Sequence, residues 1–168
     1  TGIVQDKKDE QVLIGVFKKT FGYNIVDALK KKDITVDFHN ANYDRSHRHK
    51  LESGFKNGSI RCLVSTSTLF TGVNLPARNV IVTACEAGGQ TIPSFELQQL
   101  AGRAGRPKYD TEGDVYFLVP LADFEYHKNR IENGQRIISC MYSTVNVATH
   151  FLGAVYLKRI RTKKDFKE

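Results

Sequence analysis

Short, nearly continuous apolar runs are spaced along the first 120 residues and are bounded by charged residues or glycine. Runs of this kind are typical of strands that are covered on both faces in a parallel sheet. The pattern predicts strands at Gln11–Phe17, Ile34–Phe38, Ile60–Val64, Asn79–Cys85 and Asp114–Val119.

Between these runs, apolar residues recur at helical spacing. This pattern predicts helices over Thr20–Lys32, Arg45–Asn57 and Ser94–Ala104. We expect Ser94 to cap the last of these helices, with Glu96 in its first turn. Strands that alternate with helices of this length require βαβ crossovers. The sequence therefore predicts an α/β domain with a mostly parallel sheet that is flanked by helices.

The pattern changes after Pro120. The chain is first charged and then rich in Ile, Val, Tyr and Leu, and Ser143–Leu157 carries apolar residues at helical spacing. We expect a domain boundary near residues 120–135. The predicted division is a first domain at residues 1–125 and a helical extension at residues 126–168 that stops unfinished.

Charge and composition narrow the class of protein. The chain has 168 residues, with 25 Lys and Arg against 18 Asp and Glu, and its formal net charge is +7. This excess is compatible with a polyanionic partner but does not require one.

No apolar run approaches the length needed to span a bilayer, so we expect no membrane partner. The three cysteines form no CxxC pair, which favours a reduced intracellular compartment, cytoplasmic or nuclear. Because the only methionine is Met141, we expect a piece of a longer chain.

Two Gly-Arg pairs stand three residues apart in Gln99-Leu-Ala-Gly-Arg-Ala-Gly-Arg-Pro107. Arg103 and Arg106 lie on one side of the end of the predicted helix, where two guanidinium groups repel each other unless an anion lies between them. Phosphate oxygens match their forked donors. The alternative is a helix end with arginines at its favourable terminus.

A hydroxyl-rich segment, Val64-Ser-Thr-Ser-Thr-Leu-Phe-Thr-Gly-Val-Asn-Leu-Pro76, follows the third predicted strand. In open α/β sheets the loops at the carboxyl ends of the strands form the ligand crevice. Hydroxyl groups beside exposed backbone N–H groups suit phosphate oxygens. Ser and Thr are also common helix caps, so this segment alone leaves both interpretations open.

Together these segments resemble the second RecA-like motor domain of superfamily 2 helicases, most closely the Ski2-like branch. Ser65–Pro76 is similar to motif V of that branch, including its Gly-Val-Asn-Leu-Pro ending, and Gln99–Pro107 is similar to motif VI. Phe38–Ala41 and Asp110–Gly113 resemble further segments of the family, in the same order. The resemblance covers residues 11–120, and the extension resembles more weakly the start of the winged-helix domain that follows the motor.

The resemblance implies a role at an ATP site for one set of residues. Arg103 and Arg106 would approach the γ-phosphate of ATP, with Arg106 as the arginine finger. Gln99 would orient groups at the cleft between the two motor domains. Gly72 and Asn74 would link the nucleotide to the nucleic-acid contact.

The resemblance implies a role in nucleic-acid binding for a second set of residues. Thr66, with Ser65 nearby, would contact the backbone of the tracking strand, and His39 is assigned to the same interface. Asn40 and Asn42 stand where the branch usually has His and Gly. We expect Asn42 to tolerate the left-handed backbone that Gly would supply.

The phosphate-binding half of such a motor is missing from this chain. No Gly is followed by Lys, so there is no GxxxxGK[ST] loop, and no Asp-Glu pair follows a buried strand. We therefore expect ATP and Mg²⁺ to be bound mainly by an absent first RecA-like domain of the same parent chain, with DNA or RNA as the other partner.

His47 and His49 do not share a helix face, so no metal site is expected. The alternative function is a catalytically inactive RecA-like adaptor that binds nucleic acid or protein.

Glu86–Gln90 contains a Gly-Gly pair between two apolar stretches, which is a turn signal. The resembling archaeal enzymes carry a hairpin between motifs V and VI that wedges into the duplex end. Two interpretations remain open: a reduced wedge, or a plain loop between a strand and a helix.

Overall fold

The computed structural model of this chain describes residues 2–7, 9–66, 75–105, 112–134 and 144–157. The chain divides into two compact units, residues 1–135 and 136–168. Within the described ranges, the elements of the first unit are α1 (Gly2–Asp6), β1 (Val12–Gly15), α2 (Lys19–Lys30), β2 (Val36–His39), α3 (Arg45–Lys56), β3 (Cys62–Ser65), β4 (Asn79–Val82), β5 (Glu86–Ala87), β6 (Gln90–Thr91), α4 (Ser94–Ala101), β7 (Asp114–Phe117), a 3₁₀ turn (Leu121–Asp123) and α5 (Phe124–Asn133). The second unit contributes α6 (Thr144–Tyr156).

The predicted parallel sheet is confirmed. Its strand order is β2-β3-β1-β4-β7, and every neighbouring pair is parallel. The register aligns the first residues of the strands, because Val12 of β1 lies opposite Cys62 on one side and Asn79 on the other. The carboxyl ends of the strands therefore form one edge of the sheet and the amino ends form the opposite edge.

The helices cover both faces of this sheet. On one face, α3 and α4 bury Leu51, Phe55 and Leu97 against residues of β1, β3 and β4. On the other face, α2 buries Val26 and Leu29. Because the strands are buried on both faces, they read in the sequence as continuous apolar runs rather than as alternating patterns.

Helix α4 differs from the prediction at both ends. Pro93 occupies the N-cap position and Ser94 is the first helical residue, so Ser94 does not cap the helix. The Ser94 hydroxyl is buried and makes no hydrogen bond within the described part of the chain. The helix ends at Ala101 rather than Ala104, because Gly102 is its C-cap and the backbone then turns through Gly105, at φ +88°.

Residues 86–91 form a short hairpin and not a plain loop. β5 and β6 pair antiparallel, with Glu86 opposite Thr91 and Ala87 opposite Gln90. Gly88 and Gly89 join the strands at φ +61° and +77°. A two-residue turn with two positive φ values matches the twist of its flanking strands, and glycine adopts it without strain. The Gly-Gly signal therefore predicted this turn correctly.

Helix α5 belongs by its contacts to the first unit, whereas the sequence placed residues 126–133 in the extension. It packs on α4, where the Gln98 side chain donates a hydrogen bond to the Ile131 carbonyl at 2.9 Å. The first unit consequently extends to residue 135. In the second unit, the predicted helix is confirmed as α6, and its identity as the start of a winged-helix domain stays a prediction. No helix in the described residues is long and apolar enough to cross a membrane.

Candidate functional site

The residues assigned to nucleic acid lie at the carboxyl edge of the sheet. Ser65 ends β3, where its buried hydroxyl donates a hydrogen bond to the Thr66 carbonyl at 2.7 Å. The Thr66 N–H donates to the carbonyl of His39, at the end of β2, at 3.3 Å. Thr66 itself is partly exposed. These bonds fix the first residue of the segment that leaves the sheet after β3.

The His39 side chain is directed into the domain and not towards solvent. It is only 1% exposed, and its Nε2 lies 3.1 Å from Oε1 of Glu52 on α3. Burial lowers the pKa of His39, and the bond to Glu52 opposes this effect. A direct contact of this imidazole with a nucleic-acid strand does not fit such burial. His39 instead ties α3 to β2 and holds Thr66 through its own carbonyl.

Asn40 and Asn42 build the turn that follows β2. The Asn40 side-chain oxygen accepts a hydrogen bond from the Asn42 N–H at 2.9 Å. Asn40 is fully buried, and its Nδ2 has no hydrogen-bond partner among the described residues. Asn42 does not adopt the expected left-handed conformation, since Asp33 alone has a positive φ among the described non-glycine residues. The Asn40 side chain closes the turn without that conformation.

Arg103 lies at the opposite, amino edge of the sheet. Its carbonyl accepts a hydrogen bond at 2.9 Å from the N–H of Ala77, which precedes β4. The N–H of Gly105 returns a bond to the Ala77 carbonyl at 2.7 Å. Ala77 and Ala104 thus form a parallel bridge. This pair of bonds fixes the backbone of the Gly-Arg segment beside the start of β4.

Close backbone packing holds the same segment from the other side. Gly113 lies against Ala104 and Gly105, and a Cβ on Gly113 would come within 2.3 Å of the Gly105 nitrogen. Only glycine fits this approach. Position 113 is therefore a glycine because Ala104 and Gly105 pack directly on it.

The Arg103 guanidinium is partly withdrawn from water, and this burial lowers its pKa. An arginine remains charged under such conditions, so its positive charge is less screened than at an exposed position. Gln99 is an exposed residue in the last turn of α4, just before this segment. Arg106, Gly72 and Asn74 lie outside the described residues.

An ion-pair network adjoins Ala77 at the amino edge. Lys7 donates to Asp114 at 3.0 Å, which lowers the pKa of Asp114 and raises that of Lys7. The Arg78 guanidinium lies 4.0 Å from carboxylate oxygens of both Glu10 and Asp114. Because these carboxylates balance Arg78, it is not a competing anion site.

Among the described residues, Ser65, Thr66 and His39 thus lie at one edge of the sheet and Arg103 at the opposite edge. Four-residue strands at about 3.3 Å per residue place the edges roughly 13 Å apart. In the sequence, residues 67–76 connect Thr66 at one edge to Ala77 at the other. Sequence reasoning missed Ala77, because a residue that acts through its backbone alone leaves no side-chain signal. Among the described residues, no cluster of three or more His, Cys, Asp or Glu side chains is arranged to hold a metal ion.

Comparison with known proteins identifies the family of this chain. The family described as helicase conserved C-terminal domain matches residues 1–108. The chain is 36% identical over 168 residues to the ATP-dependent DNA helicase Hel308 of Pyrobaculum calidifontis, covering 94% of this chain and 23% of that protein. It is 47% identical over 87 residues to Hel308 of Pyrococcus horikoshii, covering 49% of this chain and 12% of that protein.

A solved structure supports the fold. The C-terminal domain of the DEAD-box protein Dbp5 superimposes with a TM-score of 0.63 at 21% identity, over 75% of this chain and 70% of that one. The RecA-like α/β fold is thereby confirmed. The chain spans less than a quarter of the length of the two helicases, which are 23% and 12% covered. As the sequence resemblance indicated, the chain belongs to the helicase conserved C-terminal domain family of superfamily 2.

Proposed function

We propose that this chain is the second motor domain of an ATP-dependent helicase. The observation that supports this most strongly is the reciprocal backbone bonding of Ala77 with Arg103 and Gly105. These bonds hold the Gly-Arg segment beside Ala77, which directly follows residues 67–76 in the sequence. Thr66, at the carboxyl edge of the sheet, directly precedes the same residues. A change at either edge can therefore reach the other through one short segment, as coupling of ATP hydrolysis to movement along a strand requires.

At the amino edge, Arg103 and Arg106 would hold the terminal phosphate of ATP. The partly dehydrated guanidinium of Arg103 fits a polyanion, since forked N–H donors match phosphate oxygens. Arginines in this position stabilise negative charge that develops during phosphoryl transfer. We assign Mg²⁺ and most of the ATP contacts to a first motor domain of the same parent chain, because the sequence here contains no GxxxxGK[ST] loop. Gln99 would face the same cleft from α4.

At the carboxyl edge, Thr66 would contact the backbone of the tracking strand. Ser65 and His39 would act as positioning residues, because both side chains are buried and both bond to the residues that fix Thr66. Backbone contacts fix position on a strand without reading its sequence. We take DNA as the substrate because the similar Hel308 proteins are named as DNA helicases. Such a function places the chain inside the cell.

The β5–β6 hairpin would act as a reduced wedge at the duplex end. Its tip, Gly88–Gly89, is exposed, and a Cβ atom added at either glycine would meet no described atom within 4 Å, so a duplex could reach it. The adaptor alternative is less well supported, because the similar Hel308 protein is named an ATP-dependent helicase and the Gly-Arg segment is held in place by two separate backbone contacts, with Ala77 and with Gly113.

The test is ATP turnover with and without the first motor domain. The 168-residue chain alone should show no ATP hydrolysis above background, with or without single-stranded DNA. The same chain joined to the first motor domain of its parent protein should hydrolyse ATP, and single-stranded DNA should stimulate this activity. Turnover by the 168-residue chain alone, or none by the joined domains, would contradict the proposal.

A further inference from the structure

The β5–β6 hairpin makes too few contacts of its own to fix its direction. Its ladder contains only the pairs Glu86–Thr91 and Ala87–Gln90. A Cβ atom added at Gly88 or Gly89 would meet nothing within 4 Å, so no other element in the described part of the chain packs against these two positions. An isolated two-stranded hairpin is marginally stable in water. The direction of this hairpin must therefore be set at its base.

Apolar burial anchors the two ends of the base. Cys85 and Ile92 flank the hairpin, and both are buried in the cluster that contains Leu97 of α4. The Ile92 N–H donates a hydrogen bond to the Cys85 carbonyl at 2.9 Å. These contacts fix where the hairpin leaves the domain, but non-directional packing does not fix the angle at which the strands project.

Helix α5 supplies polar contacts to the same base. The Arg130 guanidinium donates through Nη2 to the Ile92 carbonyl. Its Nη1 lies 3.1 Å from Nδ1 of His127, and Nε2 of His127 lies 3.7 Å from Oε1 of Glu86 in β5. The His127 side chain is 1% exposed although the rest of α5 is largely open to solvent. One arginine and one histidine thus contact both strands of the hairpin base.

The donor chemistry of these groups assigns the roles in this contact. Arginine can only donate, so we assign Nδ1 of His127 as the acceptor and the ring N–H to Nε2. That N–H faces the Glu86 carboxylate at a distance too long for a hydrogen bond, so the attraction is electrostatic. The Arg130 guanidinium also lies 5.5 Å from the centre of the Tyr126 ring. Ile92, His127 and Tyr126 therefore restrict the guanidinium from three directions.

We propose that Arg130 and His127 are positioning residues that fix the direction of the β5–β6 hairpin from α5. Arg130 holds the strand that leaves the hairpin, and His127 holds the strand that enters it. The functional consequence depends on the proposed wedge, because a wedge separates strands only if it keeps its angle under the load of the duplex. The positioning role itself does not depend on it.

In the complete motor, with its first motor domain present, Arg130→Ala should reduce duplex unwinding while leaving DNA-stimulated ATP turnover within about twofold. Among the hydrogen bonds of the described residues, Arg130 shares none with Thr66, Ala77 or Arg103, so a split between the two activities is expected. Lys128→Ala removes a positive charge from an exposed position of the same helix and should change neither activity. If Arg130→Ala unwinds normally while replacement of Glu86–Gln90 by a minimal turn abolishes unwinding, the positioning role is wrong. If unwinding survives that replacement, only the wedge is wrong.

Amide hydrogen exchange, measured by NMR on the 168-residue protein, tests the positioning role without reference to unwinding. In Arg130→Ala, the Ile92 and hairpin amides should exchange roughly tenfold faster, the factor expected from loss of one charged hydrogen bond. Exchange in β1 and β3 should not change, and Lys128→Ala should match the unaltered protein. Arg130→Lys, which keeps a positively charged donor group but not the planar fork, should fall between the two. Unchanged hairpin exchange in Arg130→Ala, or an equal increase across the whole sheet in both Arg130 variants, would overturn the proposal.

Discussion

The backbone N–H of Ala77 donates a hydrogen bond to the carbonyl of Arg103 at 2.9 Å, which joins the end of motif V to motif VI. Gly105 returns a bond to the Ala77 carbonyl at 2.7 Å. The backbone of Arg103 is consequently held beside Ala77, which precedes β4. Displacement of either segment should disturb ATP hydrolysis before it disturbs DNA binding, which depends on the other edge of the sheet.

Gly113→Ala should displace the Gly-Arg segment, because the new Cβ would lie 2.3 Å from the Gly105 nitrogen and backbone must move. We predict a fall in ATP turnover of roughly 10²-fold in the complete motor, the cost of misplacing a catalytic group by about 1 Å. DNA affinity, measured by fluorescence anisotropy, should change little. Gly2→Ala, where the added Cβ meets nothing within 4 Å, is the matched control. Normal turnover in Gly113→Ala would show that the packing does not position the arginines.

The buried His39 should make stability depend on pH. Because burial lowers its pKa in the folded protein below the usual 6.5, the unfolded chain binds more protons between those two values. The free energy of unfolding should therefore hold above about pH 6.5 and fall as the pH decreases towards the lowered pKa, by at most about 1.4 kcal/mol per pH unit for one proton. Urea unfolding at several pH values measures this.

The comparison that isolates His39 uses His39→Gln, which should lose this part of the pH dependence. His49→Gln is the control. His49 also lies near Glu52, at 3.7 Å, but its side chain is largely exposed. Identical pH profiles for the unaltered protein and His39→Gln would contradict the assignment.

Much of this fold could be predicted from the sequence because the strands of the main sheet are buried on both faces. Such burial requires continuous apolar runs, and β1 and β4 lie inside the predicted segments Gln11–Phe17 and Asn79–Cys85. The predicted ends of the strands were less accurate. Hydrogen bonding between strands stops where the partner strand stops and not where the apolar run stops. Gly88–Gly89 predicted its turn because its conformation is local.

Features that depend on tertiary packing could not be predicted. Helix α5 has a charged sequence, yet His127 is buried against the hairpin and its neighbour Arg130 bonds across to Ile92. The burial of His39 likewise depends on Glu52, which lies on another element. Ala77 carries no functional side chain, so no residue pattern could reveal its role.

Replacing Glu86–Gln90 with a minimal turn should depress duplex unwinding in the complete motor and leave DNA-stimulated ATP turnover nearly intact. Among the described residues, the backbone hydrogen bonds of the hairpin do not include Arg103 or Thr66. Loss of the hairpin should therefore affect strand separation alone. Unwinding of a forked duplex and ATP hydrolysis should be measured on the same preparation. Replacement of Gly58, in the exposed turn after α3, by Asn is the control, because Asn tolerates the positive φ found there. Unwinding at the normal rate after the replacement would make the hairpin a simple connector.

We propose that Arg103 and Arg106 act on ATP and not on DNA. In the complete motor, Arg106→Ala should reduce ATP turnover by roughly 10³-fold or more, as expected for an arginine finger, and Arg103→Ala should also reduce it. Lys31→Ala, at an exposed position after α2, should leave turnover unchanged. The decisive measurement is the dissociation constant for single-stranded DNA and the ATP turnover number of Arg106→Ala, determined side by side. We expect a large loss of turnover with DNA affinity nearly unchanged, and an equal loss of both would contradict an action of the arginines on ATP.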